Sequence, residues 1–197
     1  MIKRQRIFGI SFPRTGTSSL AYAIRKLGWN TRHYLSERDY QYIQSYEFAN
    51  DFPITFRYKE LDDRFPDSKF IYSDRPVEDW LKSYETHLQR TGDVTMGNWQ
   101  EYNRHMFGST KFDKEHFREV FLKHREEVFE YFKDRPDDLL VLNMPYDVKE
   151  WTEICIFLGA EPTKWVRIKA FPNKCGSYSE SNPWCPRENR KLDPRWY

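Results

Sequence analysis

The sequence has little of what marks several protein classes. It has three cysteines, Cys155, Cys175 and Cys185, an odd and low count for a disulfide-stapled secreted domain. No Cys/His spacing resembles a zinc site, so no metal is expected. Because so few cysteines are typical of a reducing compartment, we expect thiols in a cytoplasmic protein, and a Cys175–Cys185 pair stays open.

Long apolar runs and a strong net charge are also missing. No apolar segment approaches membrane-spanning length, and no signal peptide is recognised at the first residues. The net charge is only +2, from 32 basic and 30 acidic residues. A general nucleic-acid binder needs a stronger positive field than this. We therefore expect neither a membrane nor a nucleic acid as a partner.

Aromatic residues are abundant instead, at 18%, and 31% of the residues are charged. This composition is typical of a soluble globular protein. A chain of 197 residues suits one α/β domain better than two. Proline and glycine cluster after Ala160. We therefore expect a single domain over residues 1–197, whose last part, 163–197, is irregular and packs on the rest.

Short apolar segments alternate with helical patterns along the chain. We predict strands over residues 6–12, 32–35, 69–73 and 139–143. Apolar residues at helical spacing predict helices over residues 17–27, after Pro76, 117–132 and 151–158. We also expect a polar, tyrosine-rich helix over residues 37–49 and a short helix over residues 58–64. This alternation indicates a parallel sheet covered on both faces, and ligands of such sheets bind at the carboxyl ends of the strands.

A polar loop follows the first predicted strand and opens the first helix. It consists of Pro13, Arg14, Thr15, Gly16, Thr17, Ser18 and Ser19. Gly16 allows close approach of the backbone to a ligand, and the free N–H groups at a helix start attract an anion. The planar fork of Arg14 suits phosphate or sulfate. A Ser/Thr-capped helix behind a tight turn explains the composition equally well.

The loop PRTGTSS resembles the 5′-phosphosulfate loop of sulfotransferases that use 3′-phosphoadenosine-5′-phosphosulfate (PAPS), in a branch of short members with Arg in place of Lys. A second segment, KFIYSDRPVEDWLKSY, resembles the family motif that holds the 3′-phosphate, with Arg75 at a strand end and Ser83 in the next helix. The resemblance covers residues 7–162 with gaps. It implies an α/β fold of the three-layer, P-loop-like kind, with a central parallel sheet flanked by helices.

The resemblance also implies the reaction and further site residues. A sulfonyl group would pass from PAPS to a hydroxyl or amine of a small-molecule acceptor, releasing adenosine 3′,5′-bisphosphate (PAP). Arg14, with the loop N–H groups, would stabilise charge on the leaving phosphate without a metal. Lys174 and Gly176 match a late family segment that contacts the 3′-phosphate. Where relatives stack an aromatic residue on adenine, this chain has Ser19 and Leu20.

The proton acceptor and the acceptor pocket stay open. Asp51 precedes Phe52-Pro53, where related enzymes place a catalytic His, and it would either take the acceptor's proton or position the acceptor. A turn cap before the proline is an equally good explanation of Asp51. His33 and Glu37, at the end of the second predicted strand, are further candidates for the base. Aromatic regions 34–46 and 99–112 either line a pocket for an aromatic or hydroxylated acceptor or pack ordinarily.

Two other functions remain open at this stage. A P-loop kinase for a small molecule would need Mg²⁺ and a loop lysine, and Thr17 follows Gly16 where that motif has its lysine. Asp74 is the nearest candidate for holding such a metal. A non-catalytic nucleotide-binding protein of the same fold is the other alternative. We interpret His124, Trp80, Tyr84 and Trp151 as core residues.

Overall fold

The computed structural model describes residues 5–91, 97–146 and 148–161. The expected irregular end therefore lies outside the described residues, as do Lys174 and Gly176 and the cysteines at 175 and 185. Cys155 is described, and it is a buried free thiol. No helix within the described ranges has both the length and the apolar composition needed to cross a bilayer.

Five short strands form one parallel sheet in the order β2-β3-β1-β4-β5. They are β1 Ile7–Gly9, β2 Thr31–His33, β3 Phe48–Asn50, β4 Lys69–Asp74 and β5 Leu139–Asn143. The central strand β1 places Phe8 opposite Ala49 of β3 on one side and Phe70 of β4 on the other. Because all strands are parallel, the loops that follow β1, β2, β3 and β4 emerge at one edge of the sheet.

Six α-helices connect and cover the strands in the described part of the chain. They are α1 Thr17–Lys26, α2 Tyr58–Arg64, α3 Val77–Thr91, α4 Gly97–Phe107, α5 Lys114–Phe132 and α6 Val148–Phe157. The predictions for α1, α2 and β5 match these bounds within a residue or so. The helix expected after Pro76 is α3, and its Trp80 N–H donates to the Pro76 carbonyl at 3.0 Å.

The sheet separates two apolar layers, because neighbouring residues of a strand face opposite sides. Phe8 belongs to a cluster that includes Val128 of α5. Ile7 belongs to a second cluster that includes Leu20 of α1 and Ile154 of α6. The expected three-layer α/β architecture is therefore confirmed, with α1 and α6 on one face and α2 and α5 on the other.

A third apolar cluster joins the loops after β1 and β3 to helices α3, α4 and α5. Its buried members are Phe12, Phe52, Trp80, Leu81, Tyr84, Tyr102, Met106, Phe107, Phe117 and Phe121. His124 of α5 adjoins this cluster, with its ring centroid 4.8 Å from that of Phe12. Burial of Trp80, Tyr84, Trp151 and His124 agrees with their interpretation as core residues.

The predicted helix over residues 37–49 is wrong. The structure has a 3₁₀ helix at Asp39–Ser45 and then strand β3, which lies between β1 and β2. Phe48 and Ala49 are fully buried, and their backbone groups pair with strands on both sides. Three residues are too few to show a strand's alternating pattern. Helix α4 was also not predicted.

Candidate functional site

The polar loop leads directly from β1 into α1, and its backbone is left-handed at two positions. Gly16 has φ 85° and is the N-cap of α1, and no side chain caps that helix. Arg14 has φ 69°, an unusual conformation for a residue with a side chain. Because no hydroxyl caps the helix, capping does not explain the serines and threonines of this loop.

The backbone N–H groups of the loop are free to bind a ligand. Within the described ranges, no protein atom accepts a hydrogen bond from any N–H between Arg14 and Ser19. The first bond of α1 runs from the Leu20 N–H to the Gly16 carbonyl at 2.9 Å. Unpaired N–H groups at the positive end of a helix dipole form an anion site.

Gly16 lies directly against the segment that follows β5. A Cβ atom at this position would come within 2.7 Å of Met144 Sδ and 2.9 Å of Tyr146 Cε2. Only glycine is therefore compatible with both the left-handed backbone and this close packing. The loop after β5 thus forms one wall of the candidate site.

The structure places Arg75 and Ser83, which the resemblance paired, next to Arg14. Arg14 Nε donates to Ser83 Oγ at 3.3 Å, and Arg75 Nη1 donates to the carbonyl of Arg14. Burial and the nearby charge of Arg14 lower the pKa of Arg75 against the opposing effect of Asp79. An arginine keeps its proton under such influences, so two guanidinium groups concentrate positive charge beside the loop.

Asp51, His33 and Thr17 form a compact polar cluster at the carboxyl ends of β2 and β3. Thr17 Oγ1 donates to Asp51 Oδ2 at 2.7 Å. His33 Nε2 lies 3.3 Å from Asp51 Oδ2 and 3.2 Å from the hydroxyl oxygens of both Thr17 and Ser18. Since β2 and β3 are neighbours, two of the candidates for the base lie side by side and next to the anion loop.

Asp51 is held as a carboxylate by its surroundings. Burial alone raises the pKa of Asp51, but His33, Thr17 and the backbone N–H of Phe52 outweigh burial and lower it. The Phe52 N–H donates to Asp51 Oδ1 at 2.8 Å. Asp51 itself has φ 70°, so left-handed backbone recurs at the site. A charged, nearly buried carboxylate therefore faces the loop.

Two other acidic candidates are engaged elsewhere. Glu37 Oε2 accepts from Arg57 at 2.7 Å, and no hydrogen bond or ion pair within the described residues links it to the Asp51 cluster. Asp74 accepts from Arg125 through both carboxylate oxygens, at 2.8 to 3.1 Å. Across residues 5–161, apart from the undescribed gaps, no three His, Cys, Asp or Glu side chains come together as a metal ion requires.

The aromatic regions expected near the acceptor have mixed roles. Tyr34 and Tyr102 adjoin Phe52, with ring centroids 6.1 Å and 5.1 Å away, and so lie beside the Asp51 cluster. Tyr40 instead belongs to the cluster of Phe8 and donates to Glu60 at 3.0 Å, and Phe107 packs inside the third cluster. Much of both regions is therefore ordinary packing.

Sequence reasoning missed residues that contact the loop through their side chains. Asn50 Nδ2 donates to the Thr17 carbonyl at 2.8 Å, and Asn50 is fully buried. Tyr146 donates to the Thr15 carbonyl at 3.3 Å, and its hydroxyl is also hydrogen-bonded to the hydroxyl of Ser73. Asn50 is the last residue of β3, and Tyr146 lies three residues after the end of β5. A polar side chain at the carboxyl end of a buried strand was the available signal for Asn50.

A family model described as the sulfotransferase domain matches residues 34–174, which is more than half of the chain. The chain belongs to this sulfotransferase family. The matched span contains Asp51, Arg75 and Ser83, and it begins after the loop of residues 13–19 and after His33. Membership of the family supports sulfotransferase activity in general terms.

The fold is also similar to a solved structure, that of a sulfotransferase from Alicyclobacillus acidocaldarius. The TM-score is 0.56 over 83% of this chain and 84% of that chain, with 14% sequence identity. At that identity the similarity shows the fold alone, and it agrees with the three-layer architecture. No curated protein matches the sequence of the present chain.

Proposed function

We propose that this sulfotransferase takes its sulfonyl group from PAPS and passes it to a hydroxyl or amine of a small-molecule acceptor, releasing PAP. One observation carries the proposal, the contact of Arg14 with both Ser83 and Arg75. Ser83 is 69 positions and Arg75 is 61 positions from Arg14 in the sequence. Their meeting joins the anion loop to a second cationic position, as a nucleotide phosphorylated at both ends requires.

The donor set fits the phosphosulfate end of PAPS. The unpaired N–H groups of residues 14–19 and the positive end of α1 suit a phosphate oxygen. Arg14 adds charge, and Gly16 supplies the left-handed N-cap from which α1 starts. We assign this end to Pro13, Arg14, Thr15, Gly16, Thr17, Ser18 and Ser19. We assign the 3′-phosphate to Arg75, Ser83, Lys174 and Gly176.

Arg14 is the residue that we assign to stabilising charge during transfer. PAPS supplies an activated sulfonyl group, and the leaving phosphate gains negative charge as that group departs. Orientation and charge stabilisation are the enzyme's main tasks in such in-line transfers. A guanidinium supported by aligned N–H groups performs the task that lysine and a metal share in nucleotide triphosphatases, so we propose a metal-independent reaction.

We assign the acceptor's proton to the pair of Asp51 and His33. A carboxylate whose pKa is lowered is a weak base but a strong hydrogen-bond acceptor, so Asp51 would orient the acceptor's O–H or N–H. An imidazole ring can both accept and pass on a proton, so His33 is the member of the pair that suits proton transfer. Asp51 Oδ2 lies 3.3 Å from His33 Nε2, so the carboxylate would stabilise the imidazolium that forms when His33 takes the proton.

Calorimetry with PAP and with ATP–Mg²⁺ tests the nucleotide assignment. We expect tight PAP binding with or without Mg²⁺, and Arg75→Ala should weaken it about 10- to 100-fold, the value of losing a charged hydrogen bond. Arg64→Ala is the control, since Arg64 lies at the end of α2 and donates to Gln44. Binding of ATP only with Mg²⁺ would support the kinase alternative. PAP binding without any sulfonyl transfer would support a non-catalytic binding protein.

A further inference from the structure

Every backbone carbonyl from Ile10 to Thr17 accepts a hydrogen bond. In the order of the carbonyls, the donors are His124, Thr55, Thr15, Trp80, Arg75, Tyr146, Leu20 and Asn50. Among these donors only Leu20 uses its backbone N–H, and the Thr17 carbonyl is itself part of the first turn of α1. The other bonds come from side chains, most of them on distant elements that the chain brings around the loop.

The carbonyl contacts determine where the N–H groups of the loop point. In a trans peptide the C=O and the following N–H lie on opposite sides of one plane. Trp80 Nε1, which donates to the Pro13 carbonyl at 2.9 Å, therefore turns the Arg14 N–H to the other side. Tyr146 does the same for the Gly16 N–H through the carbonyl of Thr15.

Asn50 completes this arrangement at the start of α1. Its Nδ2 donates to the Thr17 carbonyl, so the Ser18 N–H points away from Asn50. The N–H groups of residues 14–19 have no protein acceptor in the described ranges, whereas the carbonyls on the other side are paired. Aligned N–H groups of this kind form an anion-binding concavity.

We propose that Trp80, Tyr146 and Asn50 are positioning residues that hold the anion loop in its binding shape before the ligand arrives. The inference rests on the proposed function, because it concerns the phosphosulfate end of that site. Aligned N–H dipoles repel one another, and the left-handed conformation of Arg14 is unfavourable for a residue with a side chain. The side-chain donors offset these costs in the free protein, so the ligand does not have to order the loop.

Tyr146 gives the cleanest test, because Tyr146→Phe removes one hydroxyl and keeps the ring that packs on Gly16. Burial raises the pKa of Tyr146, so its phenol stays a donor at any working pH. Tyr72→Phe is the matched control. Tyr72 is fully buried in β4, and its hydroxyl has no hydrogen-bond partner among the described residues.

The experiment compares two nucleotides in calorimetry. PAP carries a 5′-phosphate, whereas adenosine 3′-monophosphate lacks the group that the loop would bind. We expect Tyr146→Phe to weaken PAP binding about fivefold, the value of a typical neutral hydrogen bond, and to leave 3′-monophosphate binding unchanged. Tyr72→Phe should change neither. A general loss of structure would weaken both nucleotides alike.

Each outcome decides the proposal. An equal loss for both nucleotides, or no loss for PAP, would overturn the positioning role of Tyr146. If the wild-type protein bound neither nucleotide, the proposed function would fail. Titration with inorganic phosphate would then test whether Tyr146 holds the anion loop in its binding shape. Weaker phosphate binding in Tyr146→Phe than in Tyr72→Phe would support the positioning role of Tyr146, whereas equal binding would overturn it.

Discussion

We expect the buried His124 to make the protein less stable in mild acid. Its imidazole is buried in α5, its Nε2 lies 2.9 Å from the Ile10 carbonyl, and that carbonyl fixes Nε2 as the donor. Burial lowers the pKa of His124 from 6.5 to about 4, although the Ile10 carbonyl and the charge of Glu127 oppose the change. The neutral ring is therefore part of the folded core.

The sign and size of the effect follow from this pKa. Below pH 6.5 the unfolded chain binds a proton at His124, whereas the folded protein binds one only below about pH 4. The free energy of unfolding should therefore fall by up to about 3 kcal/mol between pH 6.5 and pH 4, at 1.36 kcal/mol per pKa unit. Above pH 6.5 His124 should have no effect on the pH dependence.

Urea unfolding of the wild type and of His124→Gln at pH 7, 5.5 and 4 measures this effect. The glutamine amide can still donate towards Ile10 but does not titrate. It also loses the ring contact with Phe12, so the variant should be less stable at pH 7. Its stability should then decline less steeply with acid than that of the wild type. Parallel declines for the two proteins would refute the account of a buried neutral histidine.

Two further predictions concern the loop. Gly16→Ala should lower the free energy of unfolding more than Gly28→Ala, because both sites are left-handed but only Gly16 has neighbours that a Cβ would strike. Backbone strain costs roughly 1–2 kcal/mol at each, and overpacking adds about 1–3 kcal/mol at Gly16; equal losses in denaturant unfolding would contradict this packing. Thr17→Val should raise the pKa of Asp51 and cost about 1.5–3 kcal/mol at neutral pH, whereas Thr17→Ser keeps the hydroxyl and most of the stability. Carboxyl titration by NMR checks this, and identical Asp51 titration in both variants would refute the role of Thr17.

The sequence was sufficient for features that depend on local patterns. The helix starting at Thr17, the helix Tyr58–Arg64 and the strand Leu139–Asn143 have clear periodicity or length and were predicted within about a residue. The pairing of Arg75 with Ser83 came from resemblance, since spacing alone does not join them. The structure adds that both lie next to Arg14.

Features that depend on tertiary contacts could not be predicted from the sequence. Strand β3 is only three residues long, and its place between β1 and β2 is a property of the sheet. That strand order brings His33 and Asp51 together, although each alone had an ordinary structural explanation. Tyr146 likewise gains its role from the left-handed turn at Gly16 that it covers. Such roles depend on backbone direction, which no residue pattern in the sequence encodes.

Transfer of labelled sulfate from PAPS to a broad acceptor panel tests the central claim most directly. The wild-type protein and the Arg64→Ala control should both form labelled product without added metal. Arg14→Ala should lose about 100- to 1,000-fold in rate, the effect of removing one donor to developing charge. No labelled product from the wild type, or equal rates for the wild type and Arg14→Ala, would contradict the account.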